Sequence, residues 1–142
     1  MKRFFEEVKS VQHLAPASRA ANTYDGTGVD ASGYDAVAAI VDVGVIATNG
    51  TLDCKLQESN DDSTYTDISG AAITQLTEAG GGSNKQARID VRLGGRAAGA
   101  RKKYVRARLV TATAASLCAV QLHFYKAHVV PVAAQTPADV VV

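Results

Sequence analysis

The residues of this chain whose types could do chemistry are gathered by their spacing into no constellation. Asp42 lies in the apolar run Tyr34 to Ile46, YDAVAAIVDVGVI, where a carboxylate could serve as a general acid or base. That role needs a second acid, a His or a Lys at a paired position, and none stands there. Asp42 therefore reads as a solvated or hydrogen-bonded strand residue. Cys54 and Cys118 are far apart and read first as buried free thiols, with a disulfide or a reactive thiol as the alternatives. His13, His123 and His128 have no metal-ligand spacing with each other or with the cysteines. Gly26-Thr27-Gly28 neither follows a strand nor opens a helix, so it is no phosphate-binding turn. Gly80-Gly81-Gly82-Ser83 is not followed by the Gly-Lys-Ser/Thr of a phosphate loop. No catalytic, cofactor-binding or metal-binding residue is assigned, and the chain is not expected to be an enzyme.

What stands out instead is charge. Arg88, Arg92, Arg96, Arg101, Lys102, Lys103, Arg106 and Arg108 hold eight of the fifteen Lys and Arg in one short span. Those on the two strand patterns share the outward phase and are expected to form one positive face. Such a face is either solvated and paired with acids such as Asp53, Asp61 and Asp62, or it docks an acidic protein surface. Direct nucleic-acid binding is disfavoured: the net charge is only +1, and the band carries one aromatic, Tyr104, instead of interleaved rings that stack bases.

These residues need elements to hold them, and period-two alternation supplies strands. Leu52, Cys54 and Leu56 alternate with Asp53, Lys55 and Gln57. A polar turn, Glu58 to Ser63, ends that strand, and a second extended piece starts at Thr64. Gln86 to Leu93 points Ile89, Val91 and Leu93 inward. Lys102 to Val110 does so with Val105, Ala107 and Leu109, and Leu117 to Ala127 with Val120, Leu122 and Phe124. Tyr34 to Ile46 is rich in β-branched residues and reads as a central strand. Ala20 to Tyr24 is a short edge strand.

Phe4, Phe5, Val8 and Val11 have roughly helical spacing, so residues 1–18 are expected to be an arm or short helix ended by Pro16. The two rings either tuck into their own core or lie on a neighbouring subunit. Residues 19–130 form the sandwich domain, and 131–142, with Pro131 and Pro137, an extended tail. The expected fold is all-β: an antiparallel β-sandwich of jelly-roll kind with extended N- and C-terminal arms. At 142 residues and 46% hydrophobic composition the chain is one domain with one core. It holds no run of about 18 apolar residues that would make a membrane-spanning helix. The N-terminus has a basic start but no apolar stretch of the secretory kind.

The segment Leu56-Gln57-Glu58-Ser59-Asn60-Asp61-Asp62-Ser63-Thr64-Tyr65 resembles one found in small structural proteins of tailed phages. A Gly-rich tip, an Arg-alternating strand, the KKYVRARL strand and a closing apolar strand with a Pro after it follow in the same order. Over roughly residues 34 to 131 the chain is similar to the head decoration, or cement, proteins of tailed phages, including those with a jelly roll. The resemblance implies a virion protein assembled in the host cytoplasm. It implies binding to the outer surface of the capsid, as a dimer or trimer, across joints between major capsid protein subunits. It implies no cofactor, and no family residue is carried over to this chain. The candidate contact residues are Phe4, Phe5 and the eight basic residues. A receptor- or carbohydrate-binding module of a tail or spike is the other reading, disfavoured by the absence of Trp.

Overall fold

Val105, Ala107 and Leu109 are wholly buried, while Tyr104, Arg106 and Arg108 between them keep part of their surface. The same alternation builds most of the structure, a computed structural model that describes residues 3–96 and 100–129. The expected tail over 131–142 and part of the GGRAAGA loop lie outside the described residues. In chain order come α1 (Phe4–Glu7), β1 (Lys9–Arg19), β2 (Asn22–Asp25), β3 (Val29–Asp30), β4 (Tyr34–Ile46) and β5 (Thr51–Ser59). They are followed by β6 (Thr66–Ala72), β7 (Leu76–Thr77), β8 (Lys85–Arg92), β9 (Tyr104–Ala112) and β10 (Ser116–Ala127).

Two antiparallel sheets result. The first has the order β1-β10-β4-β8, and the second β2-β9-β5-β6, with β3 also on β9 and β7 also on β5. β2 and β3 share one edge, and β6 and β7 share the other, so ten strands fill eight positions. Counted by position, the sheets run 1-8-3-6 and 2-7-4-5. Position 1 pairs with 8, 2 with 7, 3 with 6 and 4 with 5, which is one long hairpin rolled up: a jelly roll. The order explains why β4 is apolar along most of its length, since it is central between β10 and β8. Inward side chains of both sheets meet in one core that includes Val37, Val41, Leu52, Leu56, Leu109, Val120, Leu122 and Phe124. Each such buried side chain contributes about 1.5–3 kcal/mol over its exposed state. Cys54 and Cys118 are free and buried in that core. The β4–β5 turn holds Asn49 at φ 62, and a Cβ at Gly50 would lie 2.7 Å from Ile46 Cγ2, so the Asn-Gly pair is the one that fits.

The expected N-terminal arm over 1–18 is corrected for most of its length. Only one helical turn forms, and residues 9–19 are an edge strand on β10. The strand was masked in the sequence by two register shifts, between Gln12 and Leu14 and between Leu14 and Ala17. Each adds a residue that breaks period two, and the second accommodates Pro16, which lacks a ladder donor and is tolerated at an edge bulge.

Candidate docking surfaces and their charge network

The jelly-roll order decides where the basic residues point. β8 lies in the first sheet and β9 in the second. Arg88 and Arg92 therefore face away from one side of the sandwich, and Arg106 and Arg108 away from the other. The expected single positive face is corrected: outward phase is shared along the chain, but the β8–β9 connection crosses between sheets. Arg96, Arg101, Lys102 and Lys103 belong to that connection.

The outer face of the second sheet is a closed polar network. Asp25 on β2 takes Arg108 Nε at 2.6 Å and Nη2 at 2.8 Å, and Arg106 Nη2 at 3.2 Å. The bond from Arg108 is the main reason the Asp25 carboxyl titrates below its ordinary range. Arg106 also donates to Gln57 Oε1 from Nε and Nη2, at 3.0 and 2.9 Å, and lies 3.9 Å from the Tyr65 ring centroid. Gln57 donates in turn to Asp67, which pairs with Lys55 at 2.6 Å. Lys102 donates to Thr66.

The end of the sandwich that carries the β3–β4, β5–β6 and β8–β9 connections is closed by two arginines. Glu58 points inward beside Val105, is almost fully buried, and accepts a bidentate pair from Arg96 at 2.7 and 2.9 Å. Arg101 donates to Asp35 at 3.1 Å and to the carbonyls of Ala31, Ser32 and Tyr34. Asp35 also meets His128 Nε2 at 2.8 Å. That bond is the main cause of the lowered Asp35 pKa, with Arg101 adding to it. Lys103 sits 3.7 Å from Asp30.

The acids expected to neutralise the band are thus not the ones that do. Asp53 takes Gln75, and Asp62 takes the Tyr65 hydroxyl. Asp61 accepts the Thr64 and Ser63 amides and the Ser59 hydroxyl, which lower its pKa to about 2, the Thr64 amide most. Arg88 and Arg92, by contrast, have no ion pair among the described residues.

Phe4 and Phe5 are both more than half exposed, stacked edge to face at 5.1 Å, with Phe4 also 6.5 Å from the His123 ring on β10. Neither ring enters the core, so the first of the two expected placements does not hold. His13 was not singled out by the sequence. It sits in the first bulge of β1, points inward, and its Nε2 accepts the Ala107 amide at 2.9 Å. Asp42 accepts from Gln86 at 2.9 Å, as a hydrogen-bonded strand residue should. Beside it a wide, shallow depression of about 470 Å³ is lined by Pro16, Gly44, Asn84, Gln86, Leu117 and Gln121, among others. Among the described residues no group of three His, Cys, Asp or Glu is placed to hold a metal.

No protein-family pattern matches the chain, and neither does any curated protein sequence. In structure it is similar to the PBSX exported protein XepA, at 16% identity and a TM-score of 0.60, with 100% of this chain and 44% of that one covered. It is also similar to a chain in the structure of infectious bursal disease virus, Gx strain, at 10% identity and a TM-score of 0.52, covering 87% of this chain and 34% of that one. The chain spans less than half the length of either. What the three share at these identities is a fold, the antiparallel β-sandwich.

Proposed function

We propose that this chain is a structural virion protein. It binds the outer surface of a phage head, as a dimer or trimer, and staples neighbouring major capsid protein subunits together. The observation that carries the reading is the pair Phe4 and Phe5, held against β10 by one helical turn yet more than half exposed. Two adjacent rings presented outward from a rigid sheet suit burial on another protein. Each would contribute about 1 kcal/mol on losing its remaining exposed surface, and the contribution repeats at every copy on a shell. The two structural neighbours, one from a phage and one from a virus, support a virion role for the fold. The paired charges of the second sheet suit a stiff outer surface more than a catalytic one. The chain needs no cofactor, membrane or nucleic acid for this role.

Mixing the purified chain with undecorated heads of the phage that encodes it tests the reading. Co-sedimentation at saturating, fixed stoichiometry is expected, and a chain that stays in the supernatant would refute it. The second reading is a receptor- or carbohydrate-binding module. It draws on the shallow depression, whose lining includes Asn84, Gln86, Gln121 and Leu117. Micromolar binding on a glycan array, together with indifference to heads, would favour it.

A further inference from the structure

Among the described residues four strand edges border the two sheets, and they are not alike. β1 is bulged twice and carries Pro16. One edge of the second sheet is split between the short β2 and β3, and the other between β7 and β6, whose pairing with β5 has a register shift. β8 alone is a regular edge. It pairs with β4 through eight successive residues without a register shift, and among the described residues it has no other strand beside it. A straight, regular edge is a template for another strand.

We propose that the β8 edge docks a second copy of this chain. The two β8 strands would run antiparallel about a two-fold axis through Ile89, joining the two four-stranded sheets into one. The charge pattern selects both the partner and the register. An axis perpendicular to the sheet sets outward residues against outward residues, so it must pass through a residue position and not between two. With the axis at Ile89, Arg88 faces Asp90 of the second copy, and the reciprocal pair forms as well. Ala87 meets Val91, and residues 86–92 of each strand are paired. An axis at Arg88 would set that arginine against itself. An axis at Asp90 would set the carboxylate against itself and Arg88 against Arg92. An axis at Val91 also matches Asp90 with Arg92, but it pairs only residues 90–92 of the strand. An axis at Ala87 sets Arg88 against Gln86 and makes no ion pair, so the Ile89 axis is the one that joins opposite charges over the longest paired stretch.

The residues are prepared for this role. Among the described residues Arg88 and Arg92 have no ion pair. Asp90 is held by the Tyr125 hydroxyl, which reaches it from β10 across the small Ala36 and Ala38 of β4. The hydroxyl bonds Oδ1, and among the described residues Oδ2 has no bond, so it can accept from the arginine of the second copy. This surface is separate from the Phe4 and Phe5 contact, and its test does not depend on a capsid.

Sedimentation equilibrium of the full chain from about 10 to about 500 µM spans the weak-to-moderate affinity expected of one strand edge. A monomer–dimer equilibrium is expected. Arg88→Asp and Asp90→Arg should each raise the dimer dissociation constant about tenfold or more, because each turns two attractive cross-strand pairs into repulsive ones. Mixing the two single variants, or combining both exchanges in one chain, should restore association. Amide hydrogen exchange on the unaltered chain gives a reading free of any folding defect. Protection of β8 amides should rise with concentration while that of β1 stays constant. A monomer at all concentrations would overturn the proposal. So would a dimer indifferent to the single exchanges, a loss that the mixture does not restore, or β8 protection independent of concentration.

Discussion

His13 Nε2 on the first sheet accepts the Ala107 amide on the second at 2.9 Å, so one side chain ties the two layers together through the core. β2 ends at Asp25 and β3 begins at Val29. Ala107 therefore has its carbonyl bonded by the Gly26 amide, while its own N–H turns to the imidazole. Gly26 is required there, since a Cβ would lie 1.9 Å from His13 Nε2.

This bond predicts acid sensitivity. Burial, chiefly, lowers the His13 pKa from 6.5 to about 4, and the nearby Arg106 charge adds to it. As pH falls below the ordinary value, the unfolded chain takes up a proton that the folded chain refuses. Stability is therefore full above pH 6.5, declines from there towards pH 4, and the loss is complete below it. The loss should amount to about 3 kcal/mol. Thermal melts of the parent and of His13→Gln, whose amide oxygen can still accept the bond, check this. The variant should show a flatter profile across the window. Parallel profiles would place the sensitivity elsewhere.

The buried pair gives a second prediction. Glu58 is almost fully covered and Arg96 only partly, so Arg96→Ala strands a buried carboxylate. A loss of about 2–4 kcal/mol is expected in urea unfolding. Removing both charges, as Arg96→Ala with Glu58→Leu, should recover part of it. A double variant no better than the single one would mean the residues act by packing and not by charge.

The N-terminus divides into two parts with different roles. Removing residues 1–8 takes away the helical turn and both exposed rings but leaves β1 whole. The melting temperature should change by only a few degrees. Removing 1–16 strips most of β1 from β10 and takes His13 as well, and should unfold the chain or lower its melting temperature well beyond that. Calorimetry of the two truncations decides. Equal small effects would mean that β1 adds little to the sandwich.

A fourth prediction concerns the second sheet. Reversing Arg106 and Arg108 to Glu sets three acids together with Asp25 and should destabilise the fold before it touches any partner. Chemical denaturation should show a loss of about 1–3 kcal/mol, since each broken charge-assisted bond contributes modestly at a partly exposed site. An unchanged midpoint, with altered binding alone, would restore these residues to a docking role.

Much of the fold was legible because inward residues repeat at period two. Ile89, Val105, Leu109, Val120, Leu122 and Phe124 lie where alternation puts them, and the strand–acidic turn–strand unit around Asp61 is β5 and β6. β1 was not legible, because its bulges hide the period. The charge network was not legible either. Asp25 and Arg108 are 83 residues apart, and Glu58 and Arg96 are 38 apart. Only the roll-up of the long hairpin brings them together, and nothing local in the sequence encodes that pairing.

The claim that this chain staples a shell is tested most directly by imaging heads saturated with it. Density for the β body is expected on the outer surface, across the joint between two capsid subunits, with the Phe4 and Phe5 turn against one of them. A bare shell, or the chain found only at a tail or spike, would contradict it.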